Sequence, residues 1–385
     1  MNIATLLLNQ GRGSGEVARQ QSRHLVAQGH RVFFMHPHMG EGVAGAENLD
    51  VPLHNATMPV HEYLPAKAAN QRAVNQMSPE EAFSYLADYE KALEAVASEC
   101  DIFYGHHANL TAIATHEVAR RHGKPFVLFL HGTGIEPRHH GQFHDEVWER
   151  IELAIREADG ILVTTEYVRD FLIRNLIDLP KDRFIVLPCG VDLSEFHPDR
   201  THGLDEFNLS DPFVLCPGAL TAAKGPQNVV AASKFYADLA PTLFIGDGEL
   251  RGELETELGD RGRFLGFVSA DHKARLINRA AVLTAAPEKK EHFGIIYAEA
   301  LAGGTPVAAY GGGGVDSIVS HEVGVLTERN PESLGRAIRS LLESPEQRRA
   351  MGAAGRLRAE AEYADHKLGA RLEAWLDGFV QKAGC

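Results

Sequence analysis

Cysteine is scarce in this chain, which holds four in 385 residues. The four are scattered, and no two of them have the spacing of a C-x-x-C motif. This usage is unlike that of a disulfide framework, and the spacing is unlike that of a structural zinc site. Because it fits a reducing compartment, we expect a cytoplasmic protein.

Long apolar runs and an excess of positive charge are also missing. No run of the sequence approaches the roughly 18 apolar residues of a membrane-spanning helix. The formal net charge is −14, whereas nucleic-acid binding needs a basic surface. Docking on a membrane surface would likewise call for clustered lysine and arginine. We therefore expect no nucleic-acid partner and at most peripheral contact with a membrane.

Histidine is plentiful, with 20 residues, but its arrangement does not suggest a metal centre. The neighbours His106 and His107, for example, lack carboxylate or thiolate partners at the spacing of a metal site. We expect most of the histidines to lie on the surface or in loops. We expect neither a metal ion nor a separate cofactor.

Short apolar runs alternate with longer helical patterns along the chain, as in parallel α/β proteins. At 385 residues the chain is too long for one ordinary core, and its second half restarts the pattern. We therefore predict two Rossmann-like domains, with the insert 37–78 as the least patterned region. The predicted strands are 3–8, 32–36, 102–104, 126–130, 160–164 and 184–187, then 213–216, 243–245, 263–265, 282–285, 307–309 and 325–326. Helices are predicted after several of them, for example at 16–28 and 110–122.

Prolines and turn-forming residues mark the division between the two halves. The stretch 188–212 holds three prolines and is typical of a connection rather than a helix or strand. We assign residues 1–190 to an N-terminal domain, 191–211 to a linker and 212–364 to a C-terminal domain. Residues 365–385 carry apolar side chains at helical spacing and are predicted to form a final helix.

The segment 287–299 is the most informative part of the sequence. Glu291 and Glu299 flank a His-Phe-Gly turn that follows a predicted strand and opens a helix predicted at 298–304. This order places the turn at the carboxyl edge of a parallel sheet, where open α/β folds bind ligands. Unpaired N–H groups at the helix start would favour a phosphate-bearing ligand. These N–H groups belong to Gly294, Ile295 and Ile296.

A glycine-rich loop, G-R-G-S-G, follows the first predicted strand. Glycines let backbone amides approach a phosphate or a sugar closely, and Gly13 and Gly15 are the candidates here. The loop is not a dinucleotide fingerprint, because Glu16 stands where the third glycine is needed. The second strand ends in His36 rather than leading to an acidic ribose-binding residue, so a dehydrogenase is disfavoured.

Two further candidates follow strands in the two halves. His131 ends the strand 126–130 in an H-G-T-G loop, where a general acid or base is one interpretation. Lys224 lies in the segment P-G-A-L-T-A-A-K-G at the start of the second domain. The helix dipole disfavours a lysine at a helix start, which makes Lys224 a better functional candidate than most lysines of the chain.

Taken in order, these motifs resemble the family-four retaining glycosyltransferases, whose signature is E-x7-E and whose fold is GT-B. The resemblance extends over nearly the whole chain. It implies two Rossmann-like domains facing across a cleft, with the C-terminal helix crossing back to the N-terminal domain. It also implies metal-independent transfer of a hexose from a nucleoside-diphosphate sugar to an acceptor hydroxyl, with retained configuration. The nucleotide-sugar is then a substrate and not a cofactor.

The resemblance implies a role for each candidate residue. The catalytic candidates are His131, which contacts the sugar, Lys224, which holds the leaving diphosphate, and Glu291, which lies near the donor-sugar hydroxyls. Glu299, expected in the first turn of its helix, hydrogen-bonds the nucleotide ribose. The remaining donor-binding candidates are Gly13, Gly15, Phe293, Gly294, Ile295 and Ile296.

One position departs from the family pattern. Ala219 stands where the family usually has an arginine that holds the diphosphate together with the lysine. One cation is therefore missing from leaving-group stabilisation, which is usually a large catalytic contribution. The alternatives are a nucleotide-sugar-binding protein without catalysis and a sugar phosphorylase on the same fold.

Two motif spellings bear on the donor. The run E-H-F-G-I and the alanine in G-A-L-T-A-A-K resemble members that use GDP-mannose, and UDP-hexoses come next. The absence of a basic patch in the sequence favours a small-molecule or glycan acceptor over a lipid-linked one.

Overall fold

The computed structural model describes residues 1–11, 13–40, 42–61 and 70–383. The chain divides into two compact units. The first unit comprises Met1–Gly190 and the chain from His366 onwards, and the second comprises Val191–Asp365. Each unit is built on its own parallel sheet, so the prediction of two Rossmann-like domains is confirmed.

The first unit is centred on a sheet with helices between its strands. The strands are β1 (Asn2–Leu6), β2 (Arg31–His36), β3 (Glu47–Asp50), β4 (Met58–Val60), β5 (Gln71–Ala73), β6 (Ile102–His106), β7 (Phe126–Phe129), β8 (Gly160–Val163) and β9 (Phe184–Val186). The helices are α1 (Gly13–Ala27), α2 (Pro79–Glu94), α3 (Leu110–His122), α4 (Glu136–His139) and α5 (Asp145–Glu157). The sheet has the order β3-β2-β1-β6-β7-β8-β9, and β4 pairs with β5 separately. All of these pairings are parallel.

The second unit repeats this architecture on a smaller scale. Its strands are β10 (Val214–Pro217), β11 (Thr242–Ile245), β12 (Gly262–Gly266), β13 (Val282–Ala285), β14 (Val307–Tyr310) and β15 (Gly324–Thr327). Its helices are α6 (Pro226–Ser233), α7 (Arg251–Leu258), α8 (Ala270–Arg279), α9 (Ile295–Ala302), α10 (Pro331–Glu343) and α11 (Pro345–Glu362). The sheet has the strand order β12-β11-β10-β13-β14-β15, so the order in which the chain adds strands reverses between β10 and β13. In such sheets ligands bind beyond the carboxyl ends of the strands at that reversal.

The central strands are mostly apolar, as is typical of parallel sheets that are buried on both faces. Every residue of β6 and β8 in the first unit is buried, as is every residue of β10, β11 and β14 in the second. This burial explains why the twelve predicted strands could be located from the sequence to within one or two residues at each end.

Local capping fixes the ends of several helices. In α3, the side chain of Asn109 accepts a hydrogen bond from the Thr111 amide at 3.0 Å. The same helix ends at Gly123, whose φ of 60° suits glycine. In α8, the Ser269 hydroxyl accepts from the His272 amide at 3.1 Å. These caps are sequence signals, and the helix predicted at 110–122 coincides with α3.

The C-terminal helix, α12 (Asp365–Ala383), packs on the first unit. Its Glu373 carboxylate lies 2.9 Å from His30 Nε2. A side chain at Gly160 would come within 2.6 Å of the Trp375 and Phe379 rings, so the helix lies close against β8. The expectation that this helix returns to the N-terminal domain is confirmed. Within the described ranges, no helix has the length and apolar character to span a membrane.

The first and last residues of the second unit are hydrogen-bonded neighbours. Val191 forms an isolated parallel bridge with Ala364. The Val191 amide donates to the Tyr363 carbonyl at 2.8 Å, and the Asp365 amide donates to the Val191 carbonyl at 3.2 Å. The chain therefore enters and leaves this unit at one place.

Candidate active site

A tight turn after β10 positions Lys224. The single helical turn Ala222–Lys224 leads into Gly225, which has a φ of 67°. A Cβ atom at Gly225 would lie 1.9 Å from the carbonyl oxygen of Ala286, just beyond β13. The backbone of the turn therefore lies directly against the end of β13, and only glycine fits at this position.

Lys224 and Glu291 meet in the structure although 67 residues separate them. The Lys224 ammonium donates to Glu291 Oε1 at 2.9 Å. The lysine side chain is 53% exposed and the glutamate side chain 23%. At this exposure an ion pair adds little to folding stability, so its position matters more than its strength.

The turn that carries Glu291 is held by the glycine-rich loop after β14. Glu291 forms an isolated bridge with Gly313, and the Gly314 amide donates to the Glu291 carbonyl at 2.6 Å. A Cβ atom at Gly314 would lie 1.9 Å from the carbonyl oxygen of His292. The glycines at 313 and 314 thus let two backbones touch and fix the turn.

The turn ends at Gly294, which has a φ of 86°. A side chain there would come within 2.5 Å of the Tyr297 ring. Phe293 is buried and lies edge-on to Tyr363, with ring centroids 6.2 Å apart. Burial, and then the neighbouring charge of Glu291, raise the pKa of Tyr297 well above its usual range, so this side chain stays neutral.

The helix start differs from the prediction. The sequence places it at residue 298 and Glu299 in the first turn, whereas α9 begins at Ile295, which puts Glu299 in the second turn. Ile295 and Ile296 have modest helix propensity, so the sequence gives no clear sign that the helix begins there. Its start is set by tertiary packing and by the left-handed conformation of Gly294. The N–H groups of Gly294, Ile295 and Ile296 remain at the helix start, where they lack intrahelical acceptors.

Glu299 is buried and paired with Lys273, a residue that the sequence analysis did not single out. Lys273 Nζ donates to Glu299 Oε1 at 2.6 Å. Glu299 is 6% exposed, and its other oxygen, Oε2, is buried without a hydrogen-bond partner among the described residues. Lys273 lies on α8, 26 residues before Glu299, and no motif links the two positions.

The loop around Ala219 is packed backbone against backbone. The Gly218 amide donates to the Ile245 carbonyl at 2.9 Å, and the Leu220 amide donates to the Asp247 carbonyl at 3.0 Å. A Cβ atom at Gly246 would lie 2.0 Å from the Gly218 carbonyl oxygen. The two loops therefore fix each other at the carboxyl edge of the sheet.

In the first unit, Gly13 and Gly15 lie within a helix and not in a loop before it. The prediction placed the helix at 16–28, whereas α1 begins at Gly13. Glycine has a low helix propensity, which made this first turn look like loop. A Cβ atom at Gly15 would lie 1.9 Å from the carbonyl oxygen of Gln10, so close packing requires glycine here with or without a ligand.

His131 belongs to a group of four packed imidazoles, here called the histidine cluster: His61, His106, His107 and His131. The His106 and His131 rings are linked by a 3.1 Å contact from Nδ1 to Nε2. The His107 ring lies 4.4 Å from that of His131 and 3.9 Å from that of His61. His131 also stacks on Phe129, with centroids 3.7 Å apart.

Most of the histidines were expected on the surface or in loops, and His106, the last residue of β6, is an exception, whereas His107 lies in the loop after β6 but is also buried. His106 is fully buried and His107 is 3% exposed. Burial lowers the pKa of His106 to about 3 and that of His61 to about 4. It also lowers the pKa of His107 well below its usual range, so these rings are neutral at pH 7.

The structure thus gathers the predicted residues in two groups. Lys224, Glu291 and Glu299 lie with the turn 293–296 around β13 and α9 of the second unit, whereas His131, Gly13 and Gly15 belong to the first unit. Among the described residues, no cluster of three or more His, Cys, Asp or Glu side chains is arranged to hold a metal ion.

Two family models match the chain, and together they cover most of it. The model described as Glycosyltransferase Family 4 matches residues 11–195. The model described as Glycosyl transferases group 1 matches residues 202–358, all within the second unit.

Three curated relatives illustrate the proteins that this chain resembles. Alpha-maltose-1-phosphate synthase of Mycolicibacterium smegmatis is 27% identical over 67% of this chain and 74% of its own. The GDP-mannose-dependent monoacylated alpha-(1-6)-phosphatidylinositol monomannoside mannosyltransferase of Corynebacterium glutamicum is 30% identical over 48% of this chain and 54% of its own. D-inositol 3-phosphate glycosyltransferase 1 of Catenulispora acidiphila is 30% identical over 68% of each chain. The matches therefore span about half to three quarters of these relatives' lengths.

Two solved structures share the fold. Sucrose-phosphate synthase from Thermosynechococcus elongatus has a TM-score of 0.78 at 19% identity, covering 97% of both chains. Anabaena HepE, solved in complex with UDP-glucose, has a TM-score of 0.75 at 17% identity, covering 98% of this chain and 100% of its own. At these identities the likeness shows the fold alone.

Two Rossmann-like units, each built on a parallel sheet, give the chain the GT-B fold. The chain belongs to the family-four glycosyltransferases.

Proposed function

We propose that this glycosyltransferase moves a hexose from a nucleoside-diphosphate sugar to the hydroxyl of a small-molecule or glycan acceptor, without a metal and with retained configuration. The observation that carries this proposal is the Lys224–Glu291 pair at 2.9 Å, beside the start of the helix that bears Glu299. A cation, the unpaired amides of a helix start and two carboxylates thus lie at the carboxyl edge of one sheet.

In this proposal the second unit holds the donor. Lys224 and the N–H groups of residues 294–296 stabilise the negative charge that develops on the leaving diphosphate. Glu291 orients hydroxyls of the donor sugar, and Glu299 binds the nucleotide ribose. When the donor binds, the Lys224 ammonium leaves Glu291 and donates to the diphosphate, because phosphate oxygens form strong charge-assisted hydrogen bonds.

The first unit supplies the remaining candidates of this proposal. We keep His131 as a sugar-contacting residue, and its 3.1 Å contact with His106 holds the ring in one orientation. Gly13 and Gly15 stay proposed donor contacts, although Gly15 also has the packing role described above. We further propose that the protein acts in the cytoplasm, with at most peripheral membrane contact.

We propose GDP-mannose as the first donor to test and UDP-hexoses next. The Corynebacterium glutamicum relative is described as GDP-mannose-dependent, and its match supports this order. The fold neighbour HepE was solved with UDP-glucose, which keeps uridine donors in the test. Because the names of these two proteins contain different nucleotides, the donor nucleotide of this chain has to be decided by comparing GDP and UDP directly.

The first test is thermal unfolding of the purified chain with UDP, GDP or ADP in the presence of EDTA. A ligand at about one hundred times its Kd adds roughly 2.7 kcal/mol, which moves Tm by a few degrees. We expect one nucleotide to raise the Tm of the wild type. The same nucleotide should not raise the Tm of Glu299→Ala.

Glu322→Ala is the matched control, because Glu322 is an exposed glutamate of the same unit. It should keep the wild-type response to nucleotide. If none of the three nucleotides raises Tm, the nucleotide-sugar proposal is wrong.

Ala219 is the observation that favours a binding protein without catalysis, because it removes one cation from the diphosphate site. Sugar transfer from the donor to an acceptor would exclude that alternative. A phosphorylase would consume orthophosphate and would show no dependence on a nucleotide.

A further inference from the structure

The side chain of Lys273 joins α8 to α9 through Glu299. Its Nζ lies 2.6 Å from Glu299 Oε1 and 5.7 Å from the centre of the Phe196 ring. The Glu299 side chain is 8% exposed, whereas that of Lys273 is 32% exposed. The pair therefore has a buried anionic end and a cationic end that reaches solvent.

Glu299 keeps one acceptor unused. Oε2 is buried, and no described residue donates a hydrogen bond to it. A buried acceptor without a donor is costly, so an incoming hydroxyl that donates to it is favoured. The terminal torsion of a glutamate side chain is broad, and a small rotation turns Oε2 toward such a donor.

We propose that Lys273 and Glu299 together recognise a vicinal diol, and that Lys273 makes the site select ribose over deoxyribose. Glu299 Oε2 accepts from one hydroxyl, and the Lys273 ammonium donates to the neighbouring one. The ammonium has donors beyond the one directed at Oε1. This inference rests on the proposed function, which places the nucleotide ribose at Glu299.

A purely structural role for Lys273 would leave a different signature. Removal of Lys273 leaves the buried Glu299 carboxylate without its cation, so it lowers stability in either role. A fastening role would also affect ribonucleotides and deoxyribonucleotides alike. A diol-binding role affects only ligands that carry the contacted hydroxyl.

The test is calorimetric titration of the full chain with UDP, GDP and ADP. Whichever binds is then compared with its 2′-deoxy and 3′-deoxy analogues in the wild type, Lys273→Met and Lys273→Arg. We expect Lys273→Met to weaken the ribonucleotide by about tenfold or more. At least one deoxy analogue should change by less than about twofold, and Lys273→Arg should restore part of the preference.

Lys234→Met is the control, because Lys234 also pairs with a glutamate, Glu257, at 3.6 Å in the same unit. It should leave both classes of nucleotide unaffected. Equal weakening of the ribonucleotide and both analogues in Lys273→Met, or no weakening at all, would overturn the inference and leave the proposed function standing. If the wild type binds none of the three ribonucleotides, the proposed function fails and the inference fails with it.

Discussion

At the scale of single residues, the proposed site contains two lysines, each paired with a carboxylate. Lys224 contacts Glu291 and Lys273 contacts Glu299, and each lysine is the more exposed member of its pair. The Lys224–Glu291 pair is partly exposed, and pairs of this kind contribute about 0–1 kcal/mol to folding. Substitution of Lys224 should therefore change ligand binding and catalysis more than stability, whereas substitution of Lys273 also leaves the buried Glu299 carboxylate without its cation.

Lys224→Met tests the proposed role of this lysine in stabilising the leaving group. We expect kcat to fall about 100-fold or more, because a positioned group that stabilises developing charge contributes on that scale. The midpoint of thermal unfolding should stay within a few degrees of the wild type. Initial rates of sugar transfer, measured with the donor that the nucleotide screen identifies, provide the check.

Lys224→Arg keeps the charge and should retain more activity than Lys224→Met. If Lys224→Met transfers sugar within about threefold of the wild-type rate, another cation holds the diphosphate and the assignment of Lys224 is wrong.

The sequence gives a reason for contacts between residues that follow neighbouring strands, but not for contacts made along helices. Lys224 and Glu291 both follow strands of one predicted parallel sheet, so their proximity could be expected. Lys273 lies in the first turn of a helix, and only the packing of α8 on α9 brings it to Glu299. The burial of His106 and His107 was not foreseen, because burial of a polar ring leaves no mark on local sequence.

At the scale of elements, glycines decide how closely the loops of the site approach one another. Gly225, Gly246 and Gly314 each face a carbonyl oxygen that a Cβ atom would meet at 1.9 or 2.0 Å. These close contacts pack the loops tightly together, and those of Gly225 and Gly314 hold the turns that carry Lys224 and Glu291.

Gly225→Ala tests this close packing. The new methyl group would meet the Ala286 carbonyl, and the residue would keep a φ of 67°, which disfavours alanine. We expect the second unit to lose roughly 2–4 kcal/mol of unfolding free energy from the combined clash and backbone strain. Urea unfolding followed by far-UV circular dichroism, together with hydrogen exchange of the β13 peptide, measures the change.

Gly252→Ala is the matched control, because no atom lies within 4 Å of the added carbon and the residue is helical. It should change stability by less than about 1 kcal/mol. Equal stability of Gly225→Ala and Gly252→Ala would show that the backbone contact with Ala286 is not needed.

Elements with strong local signals were predicted well, and elements defined by their partners were not. Helix α3 has capping residues that are recognisable in the sequence, Asn109 and Gly123, whereas the start of α9 depends on Gly294 and on packing. The insert 37–78 contains β3, β4 and β5, none of which was predicted. β3 is short and mostly exposed, and it forms because the edge of β2 offers it hydrogen bonds.

At the scale of the whole molecule, the two units should respond differently to acid. The histidine cluster belongs to the first unit, and burial lowers the pKa of His61, His106 and His107. In the unfolded chain these histidines titrate near about 6.5. Below that pH the unfolded state binds more protons than the folded state, so the stability of the first unit falls as the pH falls.

Urea unfolding at pH 7.5 and pH 5.5 measures this effect. The two tryptophans of the chain, Trp148 and Trp375, both lie in the first unit, so their fluorescence reports its unfolding. We expect a loss of roughly 1 kcal/mol for each of the three histidines at the lower pH. Carboxylates contribute less in this window, because they titrate mainly below about pH 5.

His106→Asn should reduce the pH dependence, and His321→Gln, an exposed histidine of the second unit, should not. An unfolding free energy that is unchanged between the two pH values would contradict neutral burial of the cluster.

Val191 is hydrogen-bonded to Tyr363 and Asp365, and this contact gives the chain the topology of an insertion. Residues 191–365 form a cassette whose two ends share one point, placed between β9 and the helix α12 that completes the first unit. Because the ends are adjacent, a short peptide can replace the cassette with little added loop-closure entropy. The same adjacency makes the cassette suitable for circular permutation, since its natural ends can be joined and new ones opened in a surface loop.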